Sequence, residues 1–527
     1  MCIRDRPKAV EHAEIDEIVA GYGLVAEHCA EGGFDGIELQ CSHSSIVCGF
    51  LSPATNRRTD GYGGSLEHRA RLLIEIVDAV RRVIGNRLAL GVRICGDELI
   101  DGGTTIDDAV RIAEMVEATG QVDYINTSIG VATATLFMIE ASMHVPPGYA
   151  MFIPSALRKA VDLPVVGVGR FKDPLQAERA LAEGHCDLVG VVRGQIADAD
   201  FAAKARAGAT EDIRLCLSCN QECVGRMGLN RWLGCIENPR TGRESQGTGL
   251  PRRARTAKDV MVVGAGPAGL QAAIAAARNG HRVTVYERED QAGGQVRLAA
   301  TVPNRAELGD LVRNQLTECR RLGVRLELGV GVWPGLVEEK RPDAVVVATG
   351  AEPARPWWAP PEAEQVLDVR HVLDGSASGG GPAAGDTVVV IDEIGFHHAT
   401  SVAELLADRG CQVEVATNGM VVGQDLGITL DMEGWWARAE AKGIVQSTDL
   451  VPMGLDGRSL HLLHHPTGHM QDRTPDWVVL AVPASPVEWL FHELQERGLV
   501  VERIGDCVAP RRAHAAVIDG ERVGAAL

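Results

Sequence analysis

Four cysteines fall within twenty residues, as Cys216-x2-Cys219-x3-Cys223-x11-Cys235 in the run CLSCNQECVGRMGLNRWLGCIENP. Soft thiolates at such spacings suit an iron–sulfur cluster or zinc. A zinc ribbon prefers two similar C-x2-C knuckles, and the second is missing, so the spacing favours a 4Fe-4S cluster over a structural zinc. The other nine of the 13 cysteines are scattered, which points to a reducing compartment and not to a disulfide framework.

A second chemistry is written in VMVVGAGPAGL, where Gly264, Gly266 and Gly269 follow a strand pattern and open a helix, with Glu287 ending the next strand. The first glycine makes a tight turn, and the second admits a pyrophosphate to the helix N-terminus. The acid can bond ribose hydroxyls. Gly293-Gly294-Gln295 soon after the acid and Ala348-Thr349-Gly350 at a strand end point to FAD over NAD, and Gly505-Asp506 can complete the site. A third unit repeats the pattern without its glycines: its strand runs into Asp392-Glu393-Ile394-Gly395-Phe396-His397. Carboxylates facing a pyrophosphate would repel it, which argues against ordinary NAD(P)H binding there.

The elements that position these residues are strand-like runs alternating with amphipathic helical stretches, the pattern of parallel β/α units. Five strands are expected up to residue 195, at 36–39, 88–94, 124–128, 164–169 and 187–193. They suit either strands four to eight of a (β/α)8 barrel or an open doubly wound sheet. On the barrel reading, the turns after 164–169 and 187–193 hold a flavin phosphate with Arg193, while Arg93 sets a cation beside a flavin ring. Polar, glycine-rich stretches at 241–255 and 376–385 are expected to be connectors. A helix is expected over 511–526. Residues 1–6 are a charged scrap without periodicity, and the natural N-terminus is expected to be absent.

The 527 residues predict three to four domains. A net charge of -19, with no long basic block, argues against nucleic acid. Mean hydropathy is zero, and no run approaches the ~18 apolar residues of a membrane span. A cytoplasmic protein without membrane contact is expected. The 60 glycines exceed ordinary usage, and the excess sits at strand ends, where cofactor turns need it. Trp357-Trp358 and Trp435-Trp436 are expected to pack at seams, and His461, His464, His465 and His469 to be solvated.

The run GFDGIELQCSHSSIVCGFLSPATNRRTDGYGGSLEHRAR, then GVR, VGVGRF, VVRGQIADADF, the cysteine segment and GAGPAGL together resemble the iron–sulfur branch of the old yellow enzyme family. That NADH:flavin oxidoreductase branch includes 2,4-dienoyl-CoA reductase and trimethylamine dehydrogenase. More narrowly, the chain resembles the oxidoreductases associated with the mycofactocin system. The resemblance implies FMN at Arg93, Gly169, Arg170, Val192 and Arg193, and a 4Fe-4S cluster on Cys216, Cys219, Cys223 and Cys235. It also implies FAD, or an ADP-type nucleotide, at Gly264, Gly266, Gly269, Glu287, Gly294, Gln295 and Asp506. Gln40, His43 and Ser45 take the catalytic places in which the family usually offers His or Tyr, His or Asn, and a Tyr proton donor. The acid pair of the dienoyl reductases is lost, since Ser45 and Ala132 stand there, and a serine hydroxyl is a far weaker acid than a phenol.

The expected architecture is therefore α/β. A partial TIM barrel with FMN occupies 1–210, and a cluster segment and linker 211–255. A FAD-type domain follows at 256–385 plus 476–527, with a degenerate nucleotide-type domain at 386–475. The expected activity is exchange of a hydride between a small organic substrate and FMN, with electrons relayed through the cluster to or from a redox protein or redox cofactor. Two alternatives stand beside it: an NAD(P)H-dependent enoate or dienoyl-CoA reductase, and a non-catalytic fragment that keeps only cluster and dinucleotide binding. VVVIDEIGFHHATSVAELLADRG leans to the amine dehydrogenase side, whereas the x3 gap between Cys219 and Cys223 follows the dienoyl reductases. A homo-oligomer is expected.

Overall fold

The computed structural model describes residues 8–246, 253–376 and 380–527. Parts of the expected connectors at 241–255 and 376–385, and the scrap at 1–6, lie outside the described residues. The chain divides into two compact units, Met1–Ala141 with Val145–Val192, and Ser142–His144 with Arg193–Leu527.

In the first unit, β1 (Gly36–Cys41), β2 (Ala89–Cys95), β3 (Tyr124–Ser128), β4 (Val165–Gly167) and β5 (Leu188–Val189) form one parallel sheet in that order. A doubly wound sheet reverses its order at a switch point; this one never does. Period-two alternation decides its faces. Leu39 and Cys41 of β1, Leu90, Val92 and Ile94 of β2, and Ile125 of β3 are buried in one core. The helix Leu66–Ile84 contributes Leu66, Ala70, Leu73, Val77 and Val80 at helical spacing to that core. Its start is fixed by Ser65, whose side chain accepts from the His68 amide. The strand expected over 187–193 is cut to Leu188–Val189; residues 190–192 lie outside the ladder, and Arg193 opens the helix Arg193–Ala197.

The second unit holds two more five-stranded parallel sheets. In the first, β6 (Asp259–Val263) is flanked by β7 (Arg282–Glu287) and then β8 (Arg325–Leu328) on one side, and by β9 (Ala344–Val347) and then Val501–Arg503 on the other. The reversal at β6 sets a switch point at its C-terminal end, where GAGPAGL begins. The helix Pro267–Arg278 lies against the C-terminal helix Ala513–Ala526 without room for a methyl group between them. A Cβ on Gly520 would stand 2.4 Å from Ala268 O, and one on Gly524 2.3 Å from Ala272 O.

The other sheet runs Val366–Asp368, Trp477–Ala481, Thr387–Asp392, Gln412–Thr417, Val445–Ser447. Val366–Asp368 and Trp477–Ala481 fall within the span expected for the FAD-type domain, but their backbones pair with each other, and Trp477–Ala481 pairs with Thr387–Asp392. Only with Val501–Arg503 does the chain return to the sheet of β6. An antiparallel sheet of Leu450–Asp456, Ser459–His464 and His469–Arg473 carries His461, His464 and His469, with His465 in the turn between its last two strands. No helix among the described residues is long and apolar enough to cross a membrane.

Candidate functional site

Four places gather the residues singled out above, and each is built by a strand end or a left-handed turn. In the first unit, Gln40 of β1, Arg93 of β2 and Asn126 of β3 stand in register across the sheet, on the face opposite the apolar core. Glu38 shares this face two residues before Gln40, and Asn126 Nδ2 donates to both its oxygens at 3.0 and 3.2 Å. Ser42 Oγ donates to Gln40 Oε1 at 2.8 Å. His43 and Ser44 take left-handed backbone angles, φ 56° and 62°, which swing the chain from β1 into the helix Ile46–Leu51. Burial first, and then the Arg93 charge, push the His43 imidazole down to about 4, so it is neutral at pH 7. Ser45 caps the helix: its Oγ accepts from the Cys48 amide at 3.2 Å. The turn beyond is anchored by buried Glu98, which accepts from Ser52 Oγ at 2.6 Å and the Thr104 amide at 2.8 Å.

These residues suit a flavin. Arg93 Nε is buried and meets no hydrogen-bond partner among the described residues, so a donor is held ready for an acceptor the chain does not supply. At Gly169 an added Cβ would stand 3.1 Å from Met151 Cε and 3.2 Å from Gly148 Cα, and Arg170 follows in the left-handed region at φ 62°. Val192 is exposed. Arg193, expected with these FMN residues, turns its guanidinium to Asn220 Oδ1 at 2.6 Å in the second unit.

The four cysteines line one pocket with Ser218, Asn220 and Glu237. Ser218 and Asn220 are left-handed, φ 52° and 55°, and these two reversals wrap the loop so that its sulfurs point inward. The Ser218 amide donates to Cys216 Sγ at 3.3 Å. Burial first, and then the charges of the other three cysteines, raise the Cys219 thiol well above its ordinary value, so all four act on a common space. Among the described residues, three potential metal ligands come within 4.8 Å of one another only at His144, His397 and Asp431. Four thiols lining one pocket are a soft donor set that suits an iron–sulfur centre or zinc.

At the end of β6, Gly264 sits at φ 107°, and a Cβ there would meet Ala348 O at 2.3 Å; a Cβ on Gly269 would meet Gly264 O at 2.0 Å. Gly266 has open space where its side chain would be, the gap through which a pyrophosphate approaches the helix Pro267–Arg278. Glu287 is pinned, accepting from the amides of Ala265 at 2.8 Å and Glu289 at 3.1 Å. Gly294 lies at φ 52°. Gln295 Nε2 reaches Asp506 Oδ2 at 3.4 Å, and Asp506 Oδ1 accepts from the Arg511 amide. The residues fit a dinucleotide.

In the degenerate sheet the corresponding turn is already filled. Asp392 is fully buried, and its carboxylate accepts from the amides of Gly395 at 2.8 Å and Gly423 at 3.1 Å. Amides that could hold a phosphate are held by the chain's own anion. The expectation of repulsion becomes occupation.

Sequence reasoning missed Glu38, Tyr124 and Asn126. Tyr124 covers Gly91, where a Cβ would stand 2.1 Å from its ring, and burial, with Glu38 next, pushes its hydroxyl up to about 12. The signal was the alternation in IELQC and YINTS, which sets these residues on one face with Gln40.

Residues 1–212 match the NADH:flavin oxidoreductase / NADH oxidase family, and residues 258–415 the pyridine nucleotide-disulphide oxidoreductase family. The N,N-dimethylglycine/sarcosine dehydrogenase of Chromohalobacter salexigens is 33% identical over 99% of this chain and 80% of its own length. The NADH oxidase of Thermoanaerobacter brockii is 33% identical over 98% of this chain and 79% of its own. Among solved structures, a 2-naphthoyl-CoA reductase superposes with a TM-score of 0.91 at 29% identity, covering 99% of this chain and 77% of that one. The chain belongs to the iron–sulfur branch of the NADH:flavin oxidoreductase (old yellow enzyme) family and is a flavin-dependent oxidoreductase.

Proposed function

We propose that this chain dehydrogenates a small amine, with electrons leaving through a 4Fe-4S cluster on Cys216, Cys219, Cys223 and Cys235 to a second carrier. The observation that carries this direction is Asp392. With its carboxylate seated on the amides of Gly395 and Gly423, the degenerate sheet has no place for the phosphates of an incoming NAD(P)H. The likeness to a dimethylglycine/sarcosine dehydrogenase supports the substrate class. The unreversed order of β1 to β5 supports strands four to eight of a barrel.

When bound, FMN supplies hydride exchange, the cluster one-electron transfer, and the second nucleotide an anchored adenine cofactor. The residues of the chain do the rest. Arg93 holds a positive charge where a reduced flavin ring would carry a negative one. Gln40 and neutral His43 offer hydrogen bonds that orient a substrate without moving a charge. Glu38 offers a carboxylate to a cationic amine. Gly264, Gly266 and Gly269 open the helix end to a pyrophosphate, while Glu287 and Asp506 flank it.

The test is anaerobic reduction of the flavin in purified protein. Dimethylglycine or sarcosine should bleach it and NADPH should leave it oxidised, with iron near four per chain. Bleaching by NADPH together with turnover of an enone would instead support a reductase, the reading favoured by the likeness to an NADH oxidase.

A further inference from the structure

Arg305 is 1% exposed and is among the largest fully buried side chains of the chain. A guanidinium so far from water is kept only where its charge is compensated. Its Nη2 lies 3.3 Å from Asp431 Oδ2 and 3.0 Å from His144 Nε2, and it also contacts His397. Asp431 is 2% exposed. It accepts from Thr429 Oγ1 at 2.7 Å and from Ser142 Oγ, and His397 Nε2 lies 3.1 Å from it. His144, His397 and Asp431 would make a metal site, but the nitrogen of Arg305 occupies its middle. The cation here is the chain's own, and burial with Arg305 alongside lowers both imidazoles, so they add no charge.

This ion pair is tied to the cysteine loop. Asn220, next to Cys219, donates its Nδ2 to Thr429 O at 3.2 Å, and Thr429 in turn donates to Asp431. The helix Val224–Gly228, which follows Cys223, rests on the helix Leu426–Thr429 so closely that a Cβ on Gly225 would stand 2.6 Å from Ile428 Cγ2. Met143, next to His144, is buried in one cluster with Leu217 and Cys219. A fixed cation in a medium of low dielectric favours the more negative state of a redox centre beside it, and a fixed anion opposes it.

We infer that Arg305 and Asp431 are positioning residues with opposite electrostatic effects on the cluster: Arg305 raises its reduction potential and Asp431 lowers it. The assignment rests on the cluster reading of the cysteine tetrad, which iron analysis tests separately.

The experiment is a mediated redox titration followed by the EPR signal of the reduced cluster, in wild type, Arg305→Gln, Arg305→Lys and Asp431→Asn, each with iron and sulfide counted. The opposite signs separate electrostatics from damage. Arg305→Gln should make reduction at least tenfold less favourable, 59 mV for a one-electron couple. Asp431→Asn should shift it by a similar factor the other way, and Arg305→Lys should restore most of the wild-type value. Shifts of the same sign, shifts below twofold with iron retained, or loss of iron from both Arg305→Gln and Asp431→Asn would overturn the assignment. Wild-type protein without four irons would overturn the cluster reading itself, and this assignment with it.

Discussion

His43 stands at the turn from β1 with its imidazole held neutral by burial and by Arg93. It can give or take a hydrogen bond but carries no spare proton near pH 7. A general acid or base typically contributes ~10²–10⁴-fold to a rate, so the two roles separate in a measurement. His43→Asn, which keeps a polar group of similar reach, should lower kcat for the amine by less than ~10²-fold, and kcat should show no inflection near pH 6.5 belonging to this residue. A loss beyond that range, or a wild-type inflection that disappears in the variant, would make His43 the proton-transfer group. At this scale the sequence shows its chemistry unevenly. The cysteine tetrad and the glycines at 264, 266 and 269 are local in the chain, and each forces a turn that its residue types announce. Asn126 and Glu38 lie 88 residues apart and become neighbours only through the ladders of β1, β2 and β3. Ser45, which the resemblance sets among the catalytic places, also caps the helix Ile46–Leu51.

Strands were legible because alternation and parallel-sheet burial leave a mark on every second residue, as in LGVRIC, whose Leu90, Val92 and Ile94 enter one core. Sheet membership was not. Trp477–Ala481 is as apolar as β9, and nothing in WVVLA tells which of two similar sheets it joins; the ladder with Thr387–Asp392 decides. Helix contacts were equally hidden in AHAAVIDGERVGAA, where Gly520 and Gly524 look like poor helix formers. Their use is to let the C-terminal helix approach the helix Pro267–Arg278, itself narrow because eight of the twelve residues of PAGLQAAIAAAR are Ala, Gly or Pro. Gly524 should therefore act against its helix propensity. Alanine is better than glycine by ~0.8–1 kcal/mol inside an exposed helix. Here, however, the added methyl meets Ala272 O at 2.3 Å and Ala275 Cβ at 2.9 Å, contacts that only a backbone shift can relieve. Overpacking of this kind costs about 1–3 kcal/mol, so Gly524→Ala should be destabilising and lower the thermal midpoint in circular dichroism. A stabilised variant would show that the two helices slide apart freely.

The length of the chain predicts three to four domains, and the three five-stranded parallel sheets among the described residues fold as two compact units. The charge of the whole molecule and two of its half-buried histidines pull acid stability in opposite directions. Lowering the pH from 7 towards the isoelectric point near 5.3 removes the excess negative charge and relieves self-repulsion. Each unit, however, holds a half-buried, neutral imidazole: His43 in the first is pushed down to about 4 by burial and then Arg93, and His144 in the second to about 3 by burial and then Arg305. Both lie below the ordinary 6.5, so the unfolded chain binds these protons first. The stability they support is complete above pH 6.5 and is lost as the pH falls through 4 towards 3. Self-repulsion between surface charges is screened over ~8 Å at physiological salt, whereas buried groups are screened much less. At 0.3 M salt the histidine effect should thus prevail, and the thermal midpoint should fall steadily from pH 6.5 to pH 4.5. His43→Gln and His144→Gln, which cannot take up a proton, should each flatten that fall even if they lower the midpoint at pH 7. A midpoint that rises over the same interval at high salt would mean that both imidazoles protonate within the folded chain.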